Sequence, residues 1–445
     1  MNSFDYYMPP RIHYGSGSLN KLSEIVSRYG NRCIIIGPEM NQFIRPIYER
    51  AEKILSSEGI NFKCFYEVEP NPSTKTVLKA KKIAEEYNID LIVAIGGGST
   101  IDTSKMVASL YGNQNVDFTQ LFKTNDYPFG IYPPIGPNPK PYVAISTTSG
   151  TGSQCTQAAV ITDDVSHQKL TVFHQNHFAK EVIVDPELML SLPKGLTAST
   201  AFDAFTHAFE SYLNHRLAPH TMFMSEYAIK TIFNYLPKVL KENKIEYREE
   251  LAYADTLAGQ CLANGGAHLP HPISEVIGSS ITSINHGQAL AIVYPYFMDY
   301  HWKNEIDKYA FIARALDSSY ESKTNEEAAR QFNEIVTKFG YTSSTVPVTE
   351  GLHLKDFAIY LENNNLLVSA VMNERPEFKD FNRFVVPAEE VYAINSLYIN
   401  GTVIVPKGYP ITQKIIEDLG YPIKLVDSNE FKKIDGSLTC LSLRF

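Results

Sequence analysis

The sequence predicts an α/β domain, then an all-helical domain, then a smaller α/β segment. In the first 180 residues, short apolar runs such as Leu91–Ile95 are typical of buried strands, and amphipathic helical patterns separate them. Between about residues 196 and 340, long helical patterns replace the strands, and after Ser343 short strand-like runs return. We therefore expect domains at 1–185, 186–343 and 344–445.

The elements of the first domain alternate along the chain. Short, wholly apolar runs flanked by amphipathic helices are typical of a parallel sheet that is covered on both faces. In order, we predict the strand Cys33–Ile36, a helix over 43–57, the strand Phe62–Val68, a helix over 74–87, and the strands Leu91–Ile95 and Tyr142–Ile145. The proline-rich stretch Pro128–Pro141 is predicted to be a long loop.

The later elements differ between the two remaining regions. The helical region is predicted to contain helices at Ala198–Leu213, Ser225–Leu240 and Asn325–Phe339. The last region is predicted to contain strands at Phe357–Leu361, Leu366–Val371, Leu397–Ile399, Val403–Val405, Ile423–Val426 and Leu438–Leu443, with a turn at Asn400-Gly401 and a helix near 411–419.

Charge and cysteine content exclude several classes of protein. The chain has 445 residues and a formal net charge of −9, so we expect binding neither to nucleic acid nor to membranes. Neither a signal peptide nor an apolar run long enough to span a bilayer is found in the sequence. The five cysteines are scattered and form no CxxC, which argues against a disulfide scaffold and favours a cytoplasmic protein.

A triple glycine carries the clearest binding signal. Gly96, Gly97, Gly98 and Ser99 follow directly on a predicted strand and precede a helix that contains Asp102 and Lys105. Glycines let the backbone approach a ligand closely, and the free N–H groups of a helix start bind anions such as a pyrophosphate. The alternative for the triple glycine is a plain strand-to-helix turn. The Gly15-Ser16-Gly17 stretch lacks the third glycine of a dinucleotide-binding fingerprint, so we interpret it as a loop.

Two further stretches complete the predicted nucleotide site. Residues 146–153 follow another apolar strand, and their hydroxyls suit the ribose and phosphates of a nucleotide, although a capping loop is the alternative. Glu39 follows the first predicted strand, where a carboxylate accepts from a ribose 2′-OH and repels a 2′-phosphate, so NAD(H) is favoured over NADP(H). From the 146–153 stretch, the candidate cofactor-binding residues are Thr147, Thr148, Thr151 and Ser153.

The histidines are clustered. Ten of the twelve lie between His167 and His301. Asp203 and His207 are four apart in a predicted helix, so they project from one face and can grip one cation. His271 and His286 could complete a set of one carboxylate and three imidazoles, which suits Fe(II) or Zn(II) with an open position for substrate. The alternative for each histidine is a structural or solvated side chain, and His268 rivals His271 as the third ligand.

Taken in order, these motifs resemble the iron-containing (group III) alcohol dehydrogenase family over residues 4–340. The resemblance rests on the triple glycine, the 146–153 stretch, Asp203-Ala204-Phe205-Thr206-His207-Ala208, Pro270-His271 and His286-Gly287. It implies a dehydroquinate synthase-like fold, metal ligation by Asp203, His207, His271 and His286, and hydride transfer between NAD(P) and a small alcohol or aldehyde. We also expect a homo-oligomer.

The chain departs from that family at one informative position. Many members carry a further histidine near the nicotinamide, four residues after the first histidine of this segment, and matching from His271 places Glu275 there. One extra residue also separates this segment from His286. The four metal ligands survive both changes, whereas the proton relay and the substrate preference do not carry over.

Residues 345–445 resemble the C-terminal part of the dimethylarginine dimethylaminohydrolase and amidinotransferase superfamily. The resemblance rests on Gly351–Lys355, Asn400–Val403, Gly408-Tyr409-Pro410 and Asp435–Phe445. It implies a partial α/β-propeller (pentein-like) segment in which His353 is the general acid/base and Cys440 the nucleophile. A propeller of this kind needs five similar modules and the segment has room for about two, so a non-catalytic assembly module or a fused fragment ranks above a second active site.

Overall fold

The computed structural model describes residues 4–280, 284–337, 354–399 and 401–433. The contacts within the chain divide it into two compact units, Met1–Tyr341 and Thr342–Phe445. The first unit contains both the α/β region and the helical region, so the cleft between those two regions is formed within one unit.

The α/β region is built on a six-stranded sheet in which every neighbouring pair is parallel, with the order β1-β8-β5-β4-β2-β3. A separate antiparallel hairpin, β6–β7, lies beside it. The elements are β1 (Arg11–Tyr14), α1 (Leu22–Ser27), β2 (Arg32–Pro38), α2 (Arg45–Ser57), β3 (Asn61–Val68), α3 (Thr74–Glu86), β4 (Leu91–Gly96), α4 (Gly98–Leu110), α5 (Phe118–Thr124), β5 (Tyr142–Ser146), β6 (Ala158–Thr162), β7 (Lys169–Phe173) and β8 (Glu181–Val184).

Two hydrophobic cores cover the two faces of this sheet, which explains the apolar runs. Ile92 and Ala94 of β4 face one core, whereas Leu91, Val93 and Ile95 face the other. Alternate residues of a strand point to opposite faces, so a strand buried on both faces is apolar throughout. The same pairing brings Gly96 opposite Ser146 at the carboxyl ends of β4 and β5, and the two loops that follow therefore lie side by side.

The region after β8 is helical, as the sequence predicts. No strand occurs in the described part of residues 194–337, and no helix described anywhere in the chain is long and apolar enough to cross a membrane. Phe205, Phe209, Tyr294 and Phe332 pack at the centre of its core. The helices are α6 (Lys194–Leu213), α7 (Pro219–Lys241), α8 (Ile245–Gly265), α9 (Pro270–Ser280), α10 (His286–His301), α11 (Ile306–Leu316) and α12 (Asn325–Thr337).

The second unit contains two three-stranded mixed sheets, ordered β11-β10-β9 and β12-β13-β14. In each sheet an antiparallel pair is followed by a helix and a parallel third strand. Leu367 and Val405 are among the residues of one core that the two sheets share. The elements are β9 (Ala358–Tyr360), β10 (Asn365–Val368), α13 (Ala370–Asn373), β11 (Asn382–Val385), β12 (Leu397–Ile399), β13 (Thr402–Pro406), α14 (Pro410–Asp418), β14 (Ile423–Val426) and α15 (Asn429–Lys432).

Two predictions for this unit need correction. The strand predicted at Leu366–Val371 ends at Val368, because the Ser369 hydroxyl accepts from the backbone N–H of Met372 and begins a short helix. The described residues form two separate sheets and not a propeller. The predicted strand Leu438–Leu443 lies outside the described residues.

Candidate active site

A cleft with a volume of about 1180 Å³ lies between the α/β region and the helices of the first unit. The start of α4, the loop after β5, strand β7 and the starts of α9 and α10 all contribute to its wall. It brings together residues from both groups of predicted site residues: Gly97, Gly98, Ser99, Asp102, Thr148, Thr151, Ser153, Asp203, His207, His271 and His286. A nucleotide-binding motif and a metal-binding motif that are far apart in the sequence therefore open into one space.

The four predicted metal ligands converge on one oxygen atom. Asp203 and His207 project from the same face of α6, and the Nε2 atom of His207 lies 3.5 Å from the Oδ1 atom of Asp203. The Nε2 atoms of His271 and His286 lie 3.8 Å and 3.6 Å from the same oxygen. His271 stands at the start of α9 and His286 is the first residue of α10, where Asn285 caps the helix.

Two atoms of this cluster are buried without a partner among the described residues. The Oδ1 atom of Asp203 and the Nε2 atom of His271 form no hydrogen bond, although both are inaccessible to solvent. Unpaired buried polar atoms cost free energy and are rare in folded proteins. These two face each other across 3.8 Å, a separation at which one cation could be bound by both. One carboxylate and three imidazoles are a fitting donor set for Fe(II) or Zn(II).

The charges of the cluster favour a cation. Burial by itself raises the pKa of the Asp203 carboxyl, but His207, His286 and His271 overcome it and lower that pKa to about 2. Burial lowers the pKa of His286 to about 3 and also lowers the pKa of His207. At neutral pH the carboxylate is therefore ionised and these two imidazoles are neutral. Burial by itself also lowers the pKa of His271, but Glu210 and Asp203 overcome it and raise that pKa to about 10, so a metal ion bound here would replace the Nε2 proton of His271.

Glu210, which the sequence reasoning missed, stands behind His271. Its side chain is fully buried, and its Oε2 atom accepts from the Nδ1 atom of His271 at 2.8 Å and from the backbone N–H of His268 at 2.5 Å. Its Oε1 atom accepts from the hydroxyl of Tyr294 at 3.2 Å. A carboxylate that holds the Nδ1 proton leaves Nε2 free to face Asp203. The only available signal was its position on the same helix, one turn after His207 and two turns after Asp203.

The same geometry decides between the rival histidines. His268 lines the cleft, but its Nδ1 atom accepts from the backbone N–H of Leu269, and its ring does not join the cluster. The ring of His271 does, because its Nε2 atom points toward Asp203. The choice of His271 over His268 is thus a matter of ring orientation, which spacing along the sequence does not encode.

The glycines at the start of α4 leave room that any side chain would fill. A Cβ atom on Gly98 would lie 2.8 Å from the side chain of Thr151, and a Cβ atom on Gly97 would lie 3.1 Å from that of Thr148. Two predicted loops therefore touch through bare backbone on one side and threonine side chains on the other. The amino end of a 13-residue helix meets this gap, which suits it to an anionic group such as a pyrophosphate.

Lys105 lies behind this wall and does not line the cleft. Its fully buried ammonium group donates to Asp102 at 3.1 Å, to Ser153 at 2.6 Å and to Thr156 at 3.0 Å. Burial lowers the pKa of Lys105, and the neighbouring Asp102 carboxylate opposes that effect. Lys105 therefore holds α4 against the loop after β5, and its part in cofactor binding is indirect.

The loop after β5 also touches the metal cluster. The Nδ1 atom of His207 donates to the backbone carbonyl of Gly150 at 3.2 Å, which leaves its Nε2 atom for a cation. Asp255 of α8 accepts from the backbone N–H of Gly152 at 3.0 Å and from the side chain of Gln154 at 2.9 Å. Burial raises the pKa of Asp255 to about 7. One loop thus spans from the nucleotide side of the cleft to the metal side.

Glu275 lies one turn after His271 on α9 and also lines the cleft. No residue in the described part of the chain forms a hydrogen bond or ion pair with its carboxyl group. Burial raises the pKa of Glu275, and Lys169 of β7, a strand that contacts α9, opposes that effect.

The remaining predicted residues do not line the cleft. Gly96 and Thr147 lie just beneath its wall and are buried, and Glu39 is exposed after the end of β2. His353 and Cys440 lie outside the described residues. Among the other histidines, His174 and His177 are buried and bond to backbone or serine groups away from the cluster.

Comparisons with known proteins agree with this geometry. Residues 9–186 match the model of the family described as iron-containing alcohol dehydrogenase, and residues 197–394 match that of the C-terminal domain of the same family. A NAD-dependent methanol dehydrogenase of Bacillus methanolicus is 31% identical over 74% of this chain and 84% of its own. A NADPH-dependent butanol dehydrogenase of Clostridium saccharobutylicum is 31% identical over 79% of this chain and 88% of its own.

A solved structure gives the same result at the level of the fold. The alcohol dehydrogenase from Oenococcus oeni is 28% identical and superposes with a TM-score of 0.70 over 76% of this chain and 86% of its own.

The extent of the family match corrects one boundary. We expected the dehydrogenase resemblance to end near residue 340, but the C-terminal family match runs to residue 394 and includes the first sheet of the second unit. We placed the boundary where the helical pattern of apolar residues gives way to short strand-like runs. That change in secondary structure lies inside the family match and does not mark its end. The part of the second resemblance that covers residues 345–394 is therefore wrong.

Proposed function

Since the chain belongs to the iron-containing alcohol dehydrogenase family, we propose which of its residues carry out the reaction. The protein is an NAD(P)-dependent alcohol dehydrogenase of the iron type. We assign to its cleft the interconversion of a small alcohol and its aldehyde by hydride transfer. The observation that carries this assignment is that the metal-ligand cluster and the glycine-rich start of α4 line one cavity.

Asp203, His207, His271 and His286 are the proposed metal ligands. Their support is the convergence on the Oδ1 atom of Asp203 and the two unpartnered buried atoms between which a cation fits. A divalent ion there supplies Lewis-acid chemistry, which polarises a carbonyl or lowers the pKa of an alcohol. The donor set accommodates either Fe(II) or Zn(II), and the affinity order of divalent metals favours zinc where both are available.

The proposed cofactor site lies at the start of α4. The backbone of Gly97 and Gly98 and the helix amino end would hold the pyrophosphate, and Ser99, Thr148 and Thr151 would offer hydroxyls to the nucleotide. Two sets of contacts hold that wall in place: the Lys105 ammonium donates to Asp102 and Ser153, and the backbone N–H of Thr147 donates to the carbonyl of Gly96. The preference for NAD(H) over NADP(H) rests on Glu39 alone, whose exposed carboxylate would accept from a ribose 2′-OH.

The chain's own residues orient the reactants and keep the ligands in the correct tautomer. Glu210 holds the Nδ1 proton of His271, and the carbonyl of Gly150 holds that of His207. Because Gly150 belongs to the loop that also carries Thr148 and Thr151, movement of the cofactor wall is coupled to a metal ligand. We infer that hydride donor and acceptor are brought together across this loop.

The test removes one ligand and measures both metal and turnover. His207→Ala should lose most of its bound iron or zinc after dialysis, and its rate of NADH oxidation with short aldehydes should fall at least about a hundredfold. His220→Ala is the matched control, because His220 stacks on Tyr6 outside the cleft. Retention of metal by His207→Ala, or no turnover of a broad aldehyde panel by the metal-loaded wild type, contradicts the assignment.

For the second unit we propose an assembly role within a cytoplasmic homo-oligomer. Its support is the family match through residue 394, which includes the first sheet of this unit with the dehydrogenase. Amidine hydrolysis through His353 and Cys440 is not proposed, because His353 falls within the dehydrogenase family match. Deletion of residues 342–445 should change the oligomeric state with little change in turnover, whereas citrulline release that disappears in Cys440→Ser would favour the hydrolase instead.

A further inference from the structure

Glu275 is the one acidic residue of the cleft wall that carries no assigned task and is partly buried. The wall contains four acids, which are Asp102, Asp126, Asp203 and Glu275. Asp102 is bound by Lys105, Asp203 belongs to the metal cluster, and Asp126 is exposed.

The carboxylate of Glu275 is close to the reacting centre. It stands four residues after His271 on α9, and side chains four apart on a helix project from one face with Cβ atoms about 5–6 Å apart. It therefore lies beside the ligand whose Nε2 atom faces Asp203. We infer that a substrate whose oxygen reaches the metal cluster places its second or third carbon near this carboxylate, since His271 and Glu275 share one helix face and both line the cleft.

No charge of the described residues neutralises Glu275 directly. Lys169, the lysine of the cleft wall, stands on β7, which contacts α9, and it forms no ion pair within 4.0 Å with any described carboxylate. A carboxylate that is partly withdrawn from water without a partner costs free energy, and a cationic ligand that pairs with it regains that cost. A neutral ligand of the same shape does not.

We propose that Glu275 is a specificity-determining residue that selects alcohols carrying an ammonium group two or three carbons from the hydroxyl. This inference rests on the proposed function, because it presumes that the substrate oxygen binds at the metal cluster. The ligand class is a short amino alcohol, whose ammonium pairs with Glu275 while its hydroxyl carbon faces the cofactor wall. An imidazole at this position, as in the family pattern, supplies no such fixed negative charge.

The experiment compares two alcohols that differ only in charge. In 3-amino-1-propanol an ammonium replaces the terminal methyl group of butan-1-ol. The wild type should show a ratio of kcat/KM (amino alcohol over butanol) at least about tenfold higher than Glu275→Gln, which keeps the shape and removes the charge. Asp126→Asn is the matched control, since it removes an acid from the same wall, and it should leave the ratio within about twofold.

A binding measurement keeps the inference testable if turnover is too slow to measure. Calorimetry on the full chain with metal and NAD+ should show tighter binding of the amino alcohol than of butanol, and Glu275→Gln should abolish that difference. Equal affinity of the wild type for both alcohols, or a loss of discrimination in Asp126→Asn and not in Glu275→Gln, overturns the inference. Absence of turnover with every alcohol, with cation selectivity in binding intact, counts instead against the proposed function.

Discussion

The role of Glu210 gives the sharpest prediction about metal binding. Glu210→Gln keeps the volume of the side chain, and its amide oxygen still accepts from His271 and from the backbone of His268. Its amide N–H group can donate to the hydroxyl of Tyr294, which accepts as well as donates. The substitution therefore removes a negative charge and leaves the hydrogen-bond count unchanged.

The magnitude follows from the hydrogen bond to His271. A hydrogen bond to a charged group contributes about 1.5–3 kcal/mol and a neutral one about 0.5–1.5 kcal/mol, so the difference is about 1–1.5 kcal/mol. Each 1.4 kcal/mol is about a tenfold change in an equilibrium constant. With the weaker imidazole basicity added, we expect the metal dissociation constant of Glu210→Gln to rise about 10- to 100-fold.

The assay is chelator competition at fixed pH on wild type and variant, with metal content measured by mass spectrometry. Glu181→Gln is the control, because Glu181 is a buried carboxylate that accepts from His13 at 2.7 Å outside the cleft. Glu181→Gln should lower the melting temperature and leave the metal dissociation constant within about twofold. A metal affinity of Glu210→Gln within about twofold of wild type refutes the reasoning.

Two further predictions concern the loop after β5 and the cofactor wall. Because burial raises the pKa of Asp255 from 3.8 to about 7, the folded state binds this proton more tightly, so its contribution to stability is complete below pH 3.8 and is lost as pH rises to 7. The stability of Asp255→Asn minus that of wild type, measured by urea unfolding, should therefore increase from pH 5 to pH 8 by an amount on the order of a few kcal/mol. The same stability difference at pH 5 and at pH 8 would contradict this. Gly98→Ala places a methyl group 2.8 Å from Thr151 and should raise the KM for NADH at least about tenfold, whereas Gly195→Ala, which meets no atom within 4 Å, should leave it unchanged.

The sequence predicts the α/β region well because its signal is local. A strand buried on both faces is apolar at every position, and β4 and β5 were predicted within one residue of their ends. The strands β1, β6, β7 and β8 were not predicted individually. Strand β8 is fully buried but only four residues long, whereas the other three are only partly buried. In the second unit, β11 was missed for the same reason.

The four metal ligands also differ in how far the sequence alone predicts that they lie together. Asp203 and His207 are neighbours on one helix face, so their spacing alone places them together. His271 and His286 come from the starts of two other helices, and their convergence on Asp203 depends on how α9 and α10 pack against α6. The resemblance to a known family supplied that information, and spacing within this sequence did not.

By itself the sequence determined the class of each region, the glycine-rich helix start and the acid/histidine pair on α6, because those features depend on residues within one or two turns of each other. Tertiary structure alone decided that His271 and not His268 faces the metal, that Lys105 supports the cofactor wall from behind, and that Glu210 holds a ligand in place. It also decided that Glu275 faces the cleft without a partner among the described residues. Each depends on side-chain orientation across packed elements, where the cost of an unpaired buried charge selects one arrangement.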